Sequence, residues 1–180
     1  KMFNLIEEKQ IPLLDVKARL FKDSKFNCQH LHFESENDEK VFMVAFKTVP
    51  EDSTGIAHIL EHTALCGSKK YPVRDPFFMM LRRSLNTFMN AFTSSDWTAY
   101  PFATQNDKDF KNLLNVYTDA AFFPNLNRLD FYQEGHRLEF DEKNELQIKG
   151  VVFNEMKGAM SSASAQLWHG MTKHLYPDTT

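Results

Sequence analysis

Segments typical of strands and segments typical of helices follow one another in blocks, and their order limits the possible folds of this chain. Residues 13–21, 26–33 and 40–48 are rich in β-forming side chains and predict an antiparallel meander. Two further strands are predicted in TFMNAFTS and DWTAYPFAT. Helical spacing is found in residues 55–67, FFMMLRRSL, NDKDFKNLLNVYTDAAF and LDFYQEGHRLEF, and a last long helix is predicted from Val151 toward Trp168. This order predicts an α+β fold, an antiparallel β-sheet with helices packed on one face in a two-layer sandwich.

Composition narrows the class of protein. At 180 residues, 42% of them hydrophobic and 17 of them phenylalanine, the chain can bury the core of one compact domain. A net charge of −3 without a long basic run argues against a nucleic-acid partner. No apolar run reaches the roughly 20 residues of a membrane helix, and the start lacks the layout of a signal peptide. We therefore expect no membrane partner and a soluble protein, with the cytoplasm or an organellar matrix favoured.

The stretch GIAHILEHTALCG carries two histidines and a glutamate on one predicted helix. Residues four apart lie on one helix face with Cβ atoms about 5–6 Å apart, so His58 and His62 can direct two imidazoles at one metal ion. Glu61 lies at the edge of that face, where its carboxylate could reach a metal-bound water. Histidines four apart also occur by chance. Cys66 cannot share the metal with His58, because eight residues rise about 12 Å along a helix and zinc ligands lie about 2.0–2.3 Å from the ion.

A third ligand must come from elsewhere in the chain. Glu155 follows the apolar run of KGVVFNEMKGAM, where helical spacing predicts a carboxylate beside a buried face that needs a partner such as a metal ion. An ordinary glutamate interacting with the helix dipole explains the same position, and spacing alone leaves both interpretations open. The other acidic and histidine side chains considered are Asp75, Asp96, Glu134, His136, Glu139, His169 and His174.

Four blocks of the sequence, in this order, resemble a known family: HILEHTALCGSKKYPVRDPF, NTFMNAFTSSDWTAYPFAT, EGHRLEF and GVVFNEMKG. They are similar to the pitrilysin/insulinase family of zinc peptidases, the inverzincins, and specifically to its presequence-protease branch; the order H-x-x-E-H is the inverzincin signature. The resemblance implies one Zn²⁺ per chain held by His58, His62 and Glu155, with Glu61 as general base. His136 stands where the family pattern has tryptophan, and we interpret this as a structural variation.

The resemblance also implies a substrate site and a larger protein. Asn90, Ala91 and Phe92 would form an edge strand to which an extended, unstructured peptide adds as a further strand; an ordinary inner strand is the alternative. Residues 1–180 would be a single N-terminal zinc-binding catalytic domain, incomplete and part of a longer multi-domain metalloendopeptidase. Its partner would be the C-terminal half of the same polypeptide, and without it the piece is expected to be inactive and to self-associate. The rival functions are an inactive family relative and a peptide-binding or interaction module.

Overall fold

A computed structural model describes residues 2–178 of the chain. By its internal contacts the chain divides after Asp38 into two compact units. The first is a three-stranded antiparallel sheet in the order β1-β2-β3, formed by β1 (Phe3–Ile11), β2 (Val16–Asp23) and β3 (Gln29–Glu34). A short 3₁₀ turn (Pro12–Leu14) connects β1 to β2. The predicted meander is thus only partly correct, since β1 was not predicted and the segment 40–48 joins a different sheet.

The second unit is built on a sheet whose central strand is almost completely buried. Its strands are β4 (Lys40–Lys47), β5 (Asn86–Met89), β6 (Phe92–Thr93) and β7 (Trp97–Thr104). β4 lies on one side of β7, while β5 and β6 pair with its other side, and all of these pairings are antiparallel. Along β4, half-buried Phe42 alternates with exposed Met43, which shows that one face of this strand is covered and the other is exposed.

Helices α1 (Ile56–Ala64) and α3 (Asp107–Phe122) pack on the covered face, and α2 (Pro76–Arg83) packs against α3. α3 begins at Asn106, whose side chain accepts hydrogen bonds from the first-turn amides of Lys108 and Asp109. The buried side chains of the core cluster come from both layers and are Ala64, Met89, Tyr100, Phe102, Leu113 and Tyr117. The predicted fold class, α+β with helices on one face of an antiparallel sheet, is confirmed.

The last third of the chain differs most from its prediction. One predicted helix over residues 129–140 is instead α4 (Arg128–Glu134) followed by a hairpin of β8 (Arg137–Phe140) and β9 (Leu146–Lys149). The predicted long helix is divided into α5 (Val151–Ala159) and α6 (Ala163–Leu175), because Ser162 caps the second helix through the amide of Ala165. Within residues 2–178, no helix combines the length and the apolar character needed to cross a membrane.

Candidate metal centre

Helix α1 presents its two histidines to a cleft of the second unit. The helix begins after Gly55, whose φ of +76° suits glycine, and the carbonyl of Gly55 accepts the first helical hydrogen bond, from Ile59. His58 and His62 lie one turn apart with ring centroids separated by 4.9 Å and rings nearly perpendicular. Both side chains are largely covered, with exposed fractions of 25% and 21%. The histidine pair is therefore partly buried and lines the cleft.

Helix α5 brings Glu155 to the same point. Its Oε2 lies 3.6 Å from Nε2 of His58 and 3.6 Å from Nε2 of His62. The side chain of Glu155 is 51% exposed, so the expectation of a buried carboxylate is wrong. Val152 is the residue that α5 buries, and Glu155, one turn later, reaches over the cleft rather than into the core. These three ligand atoms form the one compact group of potential metal ligands within residues 2–178.

The spacing of these atoms fits a shared ion. Separations of 3.6 Å between nitrogen and oxygen are too long for hydrogen bonds, so the three groups face each other without bonding directly. Two ligand atoms at the usual zinc distances in tetrahedral geometry lie about 3.3 Å apart. Two imidazoles and one carboxylate with a fourth position open form the ligand set of catalytic zinc sites. The residues present therefore fit a zinc ion.

Glu134 approaches His62 from the side away from the cluster. Its Oε2 lies 3.1 Å from Nδ1 of His62, and its Oε1 accepts a hydrogen bond of 2.9 Å from the side chain of Gln133. The hydrogen bond to His62 is the main cause that lowers the pKa of the buried Glu134 carboxyl, and the same bond raises the pKa of His62. Glu134 was one of the candidate third ligands, but its position on Nδ1 makes it a hydrogen-bond partner of His62 and leaves it outside the group of three atoms.

Glu61 is not part of the three-atom group, although it lines the same cleft. Its side chain is only 6% exposed, and one of its oxygens, Oε2, accepts a hydrogen bond of 2.5 Å from the hydroxyl of Thr93. Thr93 was missed by the sequence reasoning. Strand alternation gives a weak signal for it, since Thr93 lies two residues after Ala91, which packs against the core. Cys66 also lines the cleft, and burial raises the pKa of its thiol to about 12.

The cleft has a volume of about 560 Å³ and joins the histidine pair to the edge of the sheet. The strand predicted in TFMNAFTS is interrupted: Asn90 and Ala91 are outside the strands and connect β5 to β6. Both residues line the cleft together with Phe92. Within residues 2–178, β5 and β6 pair only with β7, so this segment lies at a sheet edge. Some main-chain groups of this segment already form hydrogen bonds: the amide of Ala91 donates to Oδ1 of Asn90, and the carbonyl of Asn90 accepts from the hydroxyl of Tyr117. The apolar part of the cleft lining includes Leu65, Phe77, Phe78 and Leu81.

Comparison with known proteins identifies the family. Residues 48–165 match the sequence pattern described as Insulinase (Peptidase family M16). The chain belongs to peptidase family M16. The matched region contains α1, the edge segment (residues 90–92) and α5, and so includes every residue of the candidate metal centre.

Individual relatives agree with this family. The chain is 52% identical over 182 residues to the mitochondrial presequence protease of Xenopus tropicalis, which covers 99% of the chain. It is 51% identical over 179 residues to the protein of the same name from Yarrowia lipolytica, which covers 97% of the chain. In both comparisons the chain spans only 18% of the relative's length. Pitrilysin shares the fold of this M16 chain, with a TM-score of 0.61 and 21% identity over 72% of this chain and 14% of pitrilysin.

Proposed function

We propose that this chain is the N-terminal zinc-binding catalytic domain of a longer, multi-domain metalloendopeptidase that hydrolyses unstructured peptides. The observation that supports this most strongly is the convergence of His58, His62 and Glu155 beside the unligated, buried carboxylate of Glu61. The first three side chains would hold one zinc ion. The chemistry that zinc supplies in such a site is the activation of a water molecule and the polarisation of a carbonyl oxygen.

Glu61 is the general base of the proposed reaction. Its carboxylate accepts a proton at Oε1 as the water oxygen adds to the carbonyl carbon of the scissile amide. The carboxylate then passes that proton to the amide nitrogen, the carbon–nitrogen bond breaks, and the products are a carboxylic acid and an amine. Glu61 can do this only while it stays unligated, which agrees with its absence from the group of three ligand atoms.

The proposed substrate is an extended peptide that adds to the sheet edge at Asn90, Ala91 and Phe92. Main-chain hydrogen bonds at such an edge bind with little demand on the peptide's sequence. An added strand would run along the cleft that also contains Glu61 and the histidine pair. Pairing requires the Asn90 side chain to release the amide of Ala91, to which it is bonded in this structure. A folded protein cannot present a free strand in this way, which favours unstructured peptides.

The relatives support a more specific substrate and compartment. Several presequence proteases named as mitochondrial are about half identical to this chain over almost its whole length. We infer that the protein acts in an organellar matrix on cleaved targeting peptides. The remaining length of those relatives supports a C-terminal part of the same polypeptide that completes the enzyme.

The test measures zinc and turnover separately in the full-length enzyme. The unsubstituted protein is expected to contain one zinc per chain and to cleave an unstructured peptide. Glu61→Gln should keep the zinc and lose about 10²–10⁴-fold in turnover, because only the base is removed. Glu155→Gln should lose the zinc as well. If Glu61→Gln loses its metal, Glu61 is a ligand and the assignment is wrong.

The same measurements separate the rival functions. A peptide-binding or interaction module would contain no zinc and would be unaffected by Glu61→Gln. An inactive relative would bind peptide but would not cleave it, with or without the substitution. Both alternatives leave His58, Glu61, His62 and Glu155 without a shared chemical purpose.

A further inference from the structure

The carboxylate of Glu61 is held by a hydroxyl from the neighbouring strand. Thr93 Oγ1 donates to Oε2 of Glu61 over 2.5 Å, a distance typical of a strong hydrogen bond between a hydroxyl and an ionised carboxylate. Glu61 is 6% exposed, so water does not readily replace this donor. An unpartnered carboxylate in such a position costs a large desolvation free energy. The bond to Thr93 therefore has more influence on Glu61 than a surface hydrogen bond would have.

Two further threonines continue from Thr93 into the sheet. Oγ1 of Thr98, which is buried and lies opposite Thr93 in the β6–β7 pair, is 3.4 Å from Oγ1 of Thr93. Oγ1 of Thr48 is 2.8 Å from Oγ1 of Thr98. Each hydroxyl has one proton. While the Thr93 hydroxyl donates its hydrogen bond to Glu61, it can only accept a hydrogen bond from Thr98. The network is thereby oriented: Thr48 donates to Thr98, Thr98 to Thr93, and Thr93 to Glu61.

We propose that Thr93 is the positioning residue of the general base. Its hydroxyl fixes Oε2 of Glu61 and leaves Oε1 as the oxygen that exchanges the proton with the reacting water. Since helix α1 carries Glu61 and the sheet carries Thr93, the bond also fixes the base relative to the edge at which the peptide is proposed to bind. The inference rests on the proposed peptidase function, and it concerns the orientation of Glu61 rather than the binding of the metal.

The test compares two substitutions of Thr93 in the full-length enzyme. Thr93→Val keeps the shape of the side chain but removes the donor, and should lower kcat about 10- to 100-fold with KM and zinc content unchanged. Thr93→Ser restores the donor and should recover most of kcat. The matched control is Thr104→Val in β7, which also removes a buried hydroxyl, one that donates to the carbonyl of Leu85 away from the cleft. That control should keep kcat.

A second measurement does not depend on activity. In metal-free protein, Thr93→Val should lower the melting temperature when residue 61 is glutamate and much less in a Glu61→Ala background, because the hydroxyl then has no carboxylate to hold. Equal shifts in both backgrounds would mean that Thr93 has only a structural role in the strand, and would overturn the inference. So would an unchanged kcat in Thr93→Val. If turnover depends on Glu61 but not on Thr93, this inference is wrong and the proposed function is unaffected. If the unsubstituted enzyme has neither zinc nor turnover, both are wrong.

Discussion

At the scale of single residues, the candidate centre depends on side chains that touch no metal. Glu134 lies on Nδ1 of His62, so it favours the tautomer in which Nδ1 carries the proton and Nε2 is free toward Glu155. Gln133 holds the second oxygen of Glu134 and is itself in contact with Arg74. The orientation of one proposed zinc ligand is thus fixed from α4 and from the loop before α2.

This arrangement predicts the effect of removing Glu134. Glu134→Ala should weaken zinc binding about 10- to 100-fold, because His62 loses the group that orients its ring. Glu134→Gln should weaken it less, since an amide oxygen can still accept from Nδ1. Zinc affinity is measured by competition with a chelator in the full-length protein.

Glu139→Ala is the matched control for that prediction. Glu139 pairs with Lys149 and Arg137 in the β8–β9 hairpin, so its loss should leave the zinc affinity unchanged. Equal affinity in Glu134→Ala and the unsubstituted protein would show that His62 needs no second partner.

The sequence predicts these residues unevenly. The spacing of His58 and His62 is local to one helix, so the pair could be predicted from periodicity alone. The same rule cannot assign Glu134 or Thr93, because each meets its partner across a long stretch of chain that only the tertiary fold brings together. Glu155 was correctly located on a helix, but its exposure was not predicted. Helical spacing does not show which parts of a helix surface other elements cover.

At the scale of elements, the position of α5 relative to α1 depends on a close contact between two glycines. A Cβ atom added to Gly150, just before α5, would lie 1.9 Å from the carbonyl oxygen of Gly135, just after α4. Backbone atoms cannot yield to such a clash as a flexible side chain can. The absence of a side chain at Gly150 therefore lets α5 begin where Glu155 reaches the histidine pair.

We accordingly predict that Gly150→Ala displaces α5 and lowers both zinc affinity and stability. Gly158→Ala is the matched control in the same helix, since a Cβ there meets no atom within 4 Å. That control should retain zinc, and its free energy of unfolding should rise by about 0.5–1 kcal/mol, because alanine favours a helix more than glycine does. Chelator competition and thermal unfolding of the three proteins measure the difference. Equal behaviour of the two variants would show that the glycine contact does not position Glu155.

The edge segment gives a second prediction at this scale. Ala91→Pro removes the only main-chain donor of that residue without touching a proposed ligand, so it should weaken peptide binding more than it changes zinc content. Ala91→Ser keeps the amide and is the control. Peptide affinity is measured on the Glu61→Gln background, where substrate is not consumed. If Ala91→Pro binds peptide as tightly as the control, the segment is scaffold rather than a binding edge.

Elements were predictable where their pattern is strong and local. Segments rich in β-forming residues identified β4 and β7, and helical spacing identified α1 and α3. The β8–β9 hairpin was missed because EGHRLEF continues the apolar spacing of α4, and only the turn around residues 141–145, closed by side-chain and main-chain bonds of Asp141, reverses the chain. β1 was missed because its second half, EEKQ, has no apolar alternation.

At the scale of the whole molecule, helix α6 exposes apolar side chains that no other part of residues 2–178 covers in the structure. On α6, Leu167, Trp168 and Leu175 are each about two-thirds exposed, and α6 buries none of its residues. An exposed apolar surface of this kind marks an interaction site or leads to self-association. Because the chain spans only 18% of the length of its relatives, we expect other parts of the same polypeptide to cover α6 in the full-length enzyme.

The last prediction concerns the 180 residues on their own. They carry the three proposed ligands and the proposed base, so the isolated chain should fold and bind zinc. It should self-associate through α6, which sedimentation can measure, and Leu167→Gln combined with Leu175→Gln should reduce that association without loss of zinc. The same pair of substitutions in the full-length enzyme should lower stability instead, since there the two side chains are expected to be covered.

Peptide cleavage by the isolated chain should nevertheless be negligible. A bound zinc ion and Glu61 are not sufficient, because turnover also requires the scissile carbonyl to be held at near-attack distance and its developing oxyanion to be stabilised. Each of these contributions is worth several kcal/mol, so their loss lowers the rate by orders of magnitude. Assays of the isolated chain, of its α6 variant and of the full-length enzyme on one set of unstructured peptides measure the difference. Comparable turnover by the isolated chain and the full-length enzyme would show that these 180 residues are sufficient and that no opposing part is needed to enclose the peptide.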